Sequence, residues 1–140
     1  MAYTHRRTVR FEEVDFARIV FFPRLFTYCH QTFEDFFRDE VGTSYPQMLG
    51  ERRVGYPAVH TESDFKAPLR FGDDVRIVMD TERVGTRSIT SRYRMFRGDT
   101  DELCTQIKVV TVAISMDVYG PTDLPEDVRQ AFLRHRFDAE

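Results

Sequence analysis

No tryptophan occurs in the 140 residues, and cysteine is present only at Cys29 and Cys104. Two thiols set among apolar neighbours argue against a disulfide framework and predict reduced, buried side chains of a cytoplasmic protein. Lysine is equally scarce: Lys66 and Lys108 are the only two among 20 basic residues. Arginine grips phosphate with two parallel donors, which suits a phosphate-rich ligand, although a genomic preference for arginine codons produces the same composition. The net charge of −3 gives no reason to expect a nucleic-acid partner. No run approaches the ~20 apolar residues of a membrane span, and Met1 to Arg7 lack the apolar stretch of a signal peptide. No His and Cys cluster has zinc spacing and no glycine-rich phosphate loop is present, so neither metal nor cofactor is expected. The acidic run Gly98-Asp99-Thr100-Asp101-Glu102 lacks the calcium-loop pattern and reads as a surface turn.

What the chain does have is phenylalanine, 13 of them, in a sequence that is 41% hydrophobic. That is enough to bury one core, and no linker or repeat divides it, so a single domain over residues 1–140 is expected. From Pro23 onward, Leu25, Phe26, Cys29, Phe33, Phe36, Phe37 and Val41 recur at three- and four-residue steps. They form one apolar stripe at helical period. Pro23 suits the first turn, where its missing N–H would be unpaired anyway, and Gly42 suits the end. The resulting helix, roughly 28 Å long at ~1.5 Å per residue, would cross a whole small sheet.

Strands account for most of the rest. Tyr3 to Val14 reads as a first strand and Gly55 to Lys66 as a second. Val75 to Val84 alternates, with Val75, Ile77 and Met79 on one side. A turn at Gly85-Thr86 leads into Arg87 to Arg97, where Ile89, Tyr93 and Met95 oppose Arg92 and Arg94. Leu103 to Met116 is the longest strand, and Val109, Val110, Val112, Ala113 and Ile114 make it apolar on both faces. Such a strand predicts the helix on one face and a second subunit on the other. A helical turn through Gln47, Met48 and Leu49 and a helix from Pro125 to Arg136 complete an α+β chain.

Between the first strand and the helix lies Val14-Asp15-Phe16-Ala17-Arg18-Ile19-Val20-Phe21-Phe22-Pro23. Its single carboxylate, Asp15, is expected to be buried among apolar and aromatic neighbours, at a cost of several kcal/mol unless hydrogen-bonded or given a task. Asp15 either caps a turn or pairs with Arg18, or it acts on a bound group. A carboxylate next to a helix start, whose free N–H groups and positive dipole end draw negative charge, can attack a carbonyl and polarise it together.

This stretch resembles the hot-dog-fold acyl-CoA thioesterases of the 4-hydroxybenzoyl-CoA thioesterase family. Asp15 to Pro23 carries the resemblance, supported by Val54-Gly55-Tyr56-Pro57 and Pro68-Leu69-Arg70-Phe71-Gly72-Asp73-Asp74-Val75, in the family's order from about Thr8 to Met116. The resemblance implies a hot-dog fold, an antiparallel sheet of about five strands wrapped around one long central helix. It also implies homodimers or homotetramers with sites at the subunit interface.

By the same resemblance, Asp15 is the nucleophile or general base, and the main-chain N–H of Phe22 polarises the thioester oxygen. Phe21, His30 and Tyr56 are then substrate-binding, and Arg87 meets coenzyme A, which is substrate and not cofactor. His30 stands where the family has an acidic residue near the substrate phenol, so the acyl group is open between aromatic and short-to-medium aliphatic. Two alternatives remain: a hot-dog hydratase or dehydratase with His60 or His30 as base, and an acyl-CoA-binding module without turnover. Cys29 and His30 point about 100° apart on a helix and make a poor nucleophile and base pair.

Overall fold

Strict alternation survives folding where it was clearest. The computed structural model describes residues 2–137, so the outermost residues of the expected 1–140 domain lie outside that range. In chain order the elements are β1 (Tyr3–Thr8), α1 (Pro23–Phe36), α2 (Tyr45–Gly50), β2 (Val54–Gly55), β3 (Ala58–Phe65), β4 (Asp74–Val84), β5 (Ser88–Arg97), β6 (Leu103–Val112), β7 (Ile114–Ser115) and α3 (Glu126–Arg134). Val75, Ile77 and Met79 of β4 and Ile89, Tyr93 and Met95 of β5 are all buried on one face. Five strands pair antiparallel in the order β1-β4-β5-β6-β3, and β2 pairs with β7 apart from them. This is the expected α+β hot-dog arrangement, with α1 laid across the buried face of the sheet.

The stripe on α1 buries Leu25, Tyr28, Cys29, Thr32, Phe33 and Phe36. Its last turn is not α-helical. Phe37–Val41 form a π-helical turn closed by Gly42, whose N–H donates to the Phe37 carbonyl at 2.9 Å from a left-handed φ of 84°. Glycine adopts that conformation without a Cβ clash, which is why it ends the helix. Ser44 then caps α2 reciprocally with Gln47, the two exchanging hydrogen bonds at 3.3 and 3.2 Å.

Three strands are shorter than their sequence patterns suggested, each for a backbone reason. β1 is cut short because, after Val9 bonds Asp73 in the same register, the chain leaves the sheet and Phe11–Glu13 wind into a 3-10 turn. The expected strand Gly55 to Lys66 breaks at Pro57, which has no N–H to give a ladder. The strand from Leu103 breaks at Ala113, whose N–H still bonds Arg87 in register with β5 while its C=O is diverted to the Thr122 N–H.

Phe33, Phe36 and Phe37 meet Tyr45 of α2, Tyr56 after β2 and Phe132 of α3, with ring centroids as close as 4.4 Å for Phe36 and Phe132. The outer face of the sheet is charged: Asp80 is buried beneath Arg92 and Arg94, which it holds at 2.7 and 3.3 Å. Val110 and Val112 on that face are half-buried within one protomer. Edge strand β3 is different, exposed along nearly its whole length with Val59 and Phe65 open. Among the described residues no helix is long and apolar enough to cross a membrane.

Phe36 makes ring contacts with Tyr3, Phe132 and His135 and is fully buried. Phe36→Ala is expected to lower unfolding free energy by about 3–5 kcal/mol, measured by urea titration.

Candidate active site

The turn into α1 is held by a carboxylate, but not by the one expected. Asp15 is exposed, and the buried acid is Glu13. Its two oxygens accept from the Tyr28 hydroxyl at 2.6 Å, the Arg10 N–H at 2.8 Å and the Arg7 guanidinium at 2.5 Å. Arg7 also lies over the Tyr28 ring, 3.7 Å from its centroid. Burial, and then the Glu13 hydrogen bond, push the Tyr28 hydroxyl far above its ordinary range, so it stays a donor. One side chain thus ties β1, the 3-10 turn and α1 together.

The main chain of Glu13 completes the clamp by accepting the Phe21 N–H at 2.9 Å, while Val14 and Val20 pair as an antiparallel bridge. Residues 14–20 therefore close into a tight loop projecting from the body. Asp15 donates its N–H to Ile19 at 3.0 Å, and its carboxylate caps the turn by accepting the Ala17 N–H at 2.8 Å. Arg18 sits at a left-handed φ of 68°, strain of the order of 1–3 kcal/mol for a residue with a Cβ. The expected ion pair of Arg18 with Asp15 is not present. Phe16 is fully exposed because the loop turns it outward.

Where the loop ends, α1 begins, with Phe22 as N-cap and Pro23 in the first turn. Arg24 and Leu25 donate back to Phe21 and Phe22 at 2.8 and 3.0 Å. Among the described residues the Phe22 N–H has no acceptor. An unpaired N–H at the positive end of a helix is a ready site for a carbonyl oxygen gaining charge.

Two cavities flank α1. The larger, ≈510 Å³, includes Phe26, His30, Phe33, Tyr45, Tyr56 and Tyr93 in its wall. The smaller, ≈360 Å³, lies between the helix start and the end of β3, with Phe22, Leu25 and Phe65 in its wall. His30 and Tyr56 therefore share the first cavity, Phe22 borders the second, and Asp15 and Phe21 line neither. Phe21, expected to bind substrate, packs edge-on against Phe22 at the helix start and is half-exposed.

His30 is oriented by Glu34 one helical turn on, through Nδ1 at 3.2 Å, and stands edge-on to Tyr45. Cys29 and Cys104 are buried free thiols, and burial pushes the Cys29 thiol far above its ordinary range, which leaves it unreactive. Arg87 is exposed on the β4–β5 hairpin and pairs with Asp123 at 3.0 Å. His60 lies on β3 beside Glu62, away from both cavities. Among the described residues no group of three His, Cys, Asp or Glu is placed to hold a metal ion.

Glu13 was not anticipated, although a signal existed: in a strand it shares the inward parity of Val9. Phe11, of the same parity, faces solvent instead and packs on Phe71. Glu13→Ala is expected to cost about 2–4 kcal/mol in urea unfolding, because it leaves Tyr28 and Arg7 buried without their acceptor. A second prediction concerns pH. Burial, with a smaller contribution from Glu34, raises the Tyr45 hydroxyl from 10.0 to about 12. Its neutral form is favoured by folding, so that stability is complete below pH 10.0 and is lost as pH climbs toward about 12. Unfolding midpoints across this range are expected to fall less steeply in Tyr45→Phe.

Residues 9–132 match the family model described as the Thioesterase-like superfamily. A 1,4-dihydroxy-2-naphthoyl-CoA hydrolase of Picosynechococcus sp. is 33% identical over 101 residues, covering 72% of this chain and 68% of that protein. The enzyme of the same name from Nostoc punctiforme is 25% identical over 142 residues, covering 100% of this chain and 93% of its own. Among solved structures, a 1,4-dihydroxy-2-naphthoyl-CoA thioesterase from Synechocystis superposes with a TM-score of 0.86 at 21% identity, covering 95% of this chain and 96% of that one. A gentisyl-coenzyme A thioesterase does so at 0.81 and 24%, covering 93% and 99%. At these identities the structures speak for the fold, and the family match with the first relative for descent: the chain belongs to the Thioesterase-like superfamily, as a hot-dog-fold thioesterase.

Proposed function

We propose that the chain hydrolyses coenzyme A thioesters of fused-ring aromatic acids, releasing the acid and coenzyme A. The observation that carries this reading is one clamped loop that bears a carboxylate, Asp15, and ends at an unpaired helix-start N–H, Phe22. The thioester carbonyl oxygen accepts the Phe22 N–H, and charge developing on it is favoured by the helix's positive end. Asp15 supplies the attacking oxygen, either its own or that of a water whose proton it takes. As the new carbon–oxygen bond forms, the carbon–sulfur bond breaks and the sulfur leaves with the electron pair, to be protonated as free thiol. Where Asp15 itself attacks, water then cleaves the mixed anhydride and restores the carboxylate.

The acyl group belongs in the ≈510 Å³ cavity, whose aromatic wall and size exceed what a single ring would fill. The named substrate of the naphthoyl-CoA relatives supports this reading. His30 and Tyr56 contact the acyl group, Phe21 supports the helix start, and with Nδ1 committed to Glu34 the His30 Nε2 is left for an acyl hydroxyl. Arg87 exchanges Asp123 for a coenzyme A phosphate. The free thiols fit a cytoplasmic setting.

Asp15 and the larger cavity are separate within one protomer, which argues for a homodimer that brings one copy's loop to the other's cavity. Edge strand β3 supplies the seam, since its outer backbone groups and open Val59 and Phe65 call for a partner strand.

Asp15→Asn is expected to melt like the wild type and to lose thiol release from naphthoyl-CoA by roughly a hundredfold or more. Near-normal turnover would remove Asp15 from the mechanism. Acyl-CoA binding without turnover by the wild type would point instead to a binding module, and water addition to an enoyl-CoA to a hydratase. Sedimentation is expected to show a dimer, and Val59→Lys to shift it to monomers with loss of activity.

A further inference from the structure

Gly55 occupies an unusual place. It lies in the wall of the larger cavity with Ile114 and Met116, in the short β2–β7 ladder where Gly55 pairs with Ile114. Positive φ is confined to Gly42, Gly72 and Gly98 among the described glycines, so the backbone at Gly55 makes no demand for glycine. The demand is spatial. A Cβ there would stand 2.9 Å from the Met116 Sδ and 3.4 Å from the Ile114 Cγ1. The nearer atom is near the end of a flexible side chain, so the fold could accommodate a methyl by moving the thioether. What glycine leaves room for is the close seat of Met116 and Ile114, two side chains that are themselves in the cavity's wall, so the space at 55 and the position of the thioether are linked.

We infer that Gly55, together with Met116, is the size-determining element of the acyl site, holding it open for a group of two fused rings. This rests on the reading of the ≈510 Å³ cavity as the acyl pocket. Another part of the wall is made of large rings, Phe33, Tyr45 and Tyr56, packed on one another with centroids 6.1 to 6.4 Å apart. Their mutual packing leaves that part little freedom to adjust. Adaptable volume is concentrated at the thioether, because methionine is unbranched and refills gaps readily. A methyl at 55 drives the thioether to a new position and shortens the space open to the far ring. Removing the thioether lengthens it.

The test compares kcat/KM for benzoyl-, naphthoyl- and anthroyl-CoA, read by thiol release, in wild type, Gly55→Ala and Met116→Ala, each checked for folding by circular dichroism. The wild type is expected to favour naphthoyl over benzoyl. Gly55→Ala is expected to lower that ratio by roughly tenfold or more, the scale at which apolar pockets discriminate small changes in size. Met116→Ala is expected to raise anthroyl relative to naphthoyl by a similar factor. If Gly55→Ala fails to fold, the Met116→Ala ratio decides alone. Ratios within about twofold of wild type in the folded variants overturn the inference while leaving the thioesterase reading standing. Absence of thiol release from every ester in the wild type overturns both.

Discussion

The site depends on one buried carboxylate that has no place in the proposed chemistry. Glu13 gathers Arg7 from β1, the Arg10 N–H from the 3-10 turn and Tyr28 from α1, so three pieces of chain distant in direction meet at one charge. Buried without those partners, a carboxylate would cost several kcal/mol; with them it becomes a rigid node. The loop bearing Asp15 is suspended from that node by its base, through Val14, Val20 and the Phe21 N–H. Exposure of Asp15 is then no sign of disorder. An acid proposed to react must reach solvent and substrate, and the acid that holds must not.

Much of this was legible before folding was considered. The helix stripe from Leu25 to Val41 and the alternation of Val75 to Met79 have strong periods, and side-chain burial follows from them almost without tertiary help. The resemblance at Asp15 to Pro23 located the helix start, and His30 and Tyr56 do share a cavity. The errors have a common cause. Strand length and the burial of Asp15 were read from side chains, while the deciding forces lay in the backbone: Pro57 without an N–H, Ala113 with its carbonyl drawn to Thr122, and a loop so tight that Phe16 and Arg18 cannot turn inward. Glu13 escaped notice because a glutamate beside two arginines in a polar stretch looks solvated until Tyr28, far along the chain, supplies the third contact.

Division of labour along α1 follows from these contacts. Its N-cap, Phe22, offers an unpaired N–H, its middle presents His30 to the cavity, and its end is held by the rings of Phe33, Phe36 and Phe37 against Tyr45, Tyr56 and Phe132. Rigidity is greatest where no chemistry is proposed and openness greatest at β3 and the helix start, where a second copy and a thioester are proposed to meet.

The π-helical turn at Phe37–Val41 sets the spacing between the two ends of the helix. Such a turn holds one residue more than an α-turn between the same two hydrogen-bonding groups. Here the Phe37 carbonyl and the Gly42 N–H are those groups, with Arg38 and Asp39 bulging to the surface and paired with each other. A helix held at one end by a clamped turn and at the other by an aromatic cluster has a fixed span between them. The extra residue lets the chain fit that span, leaving Phe37 in the core and Gly42 at the cap.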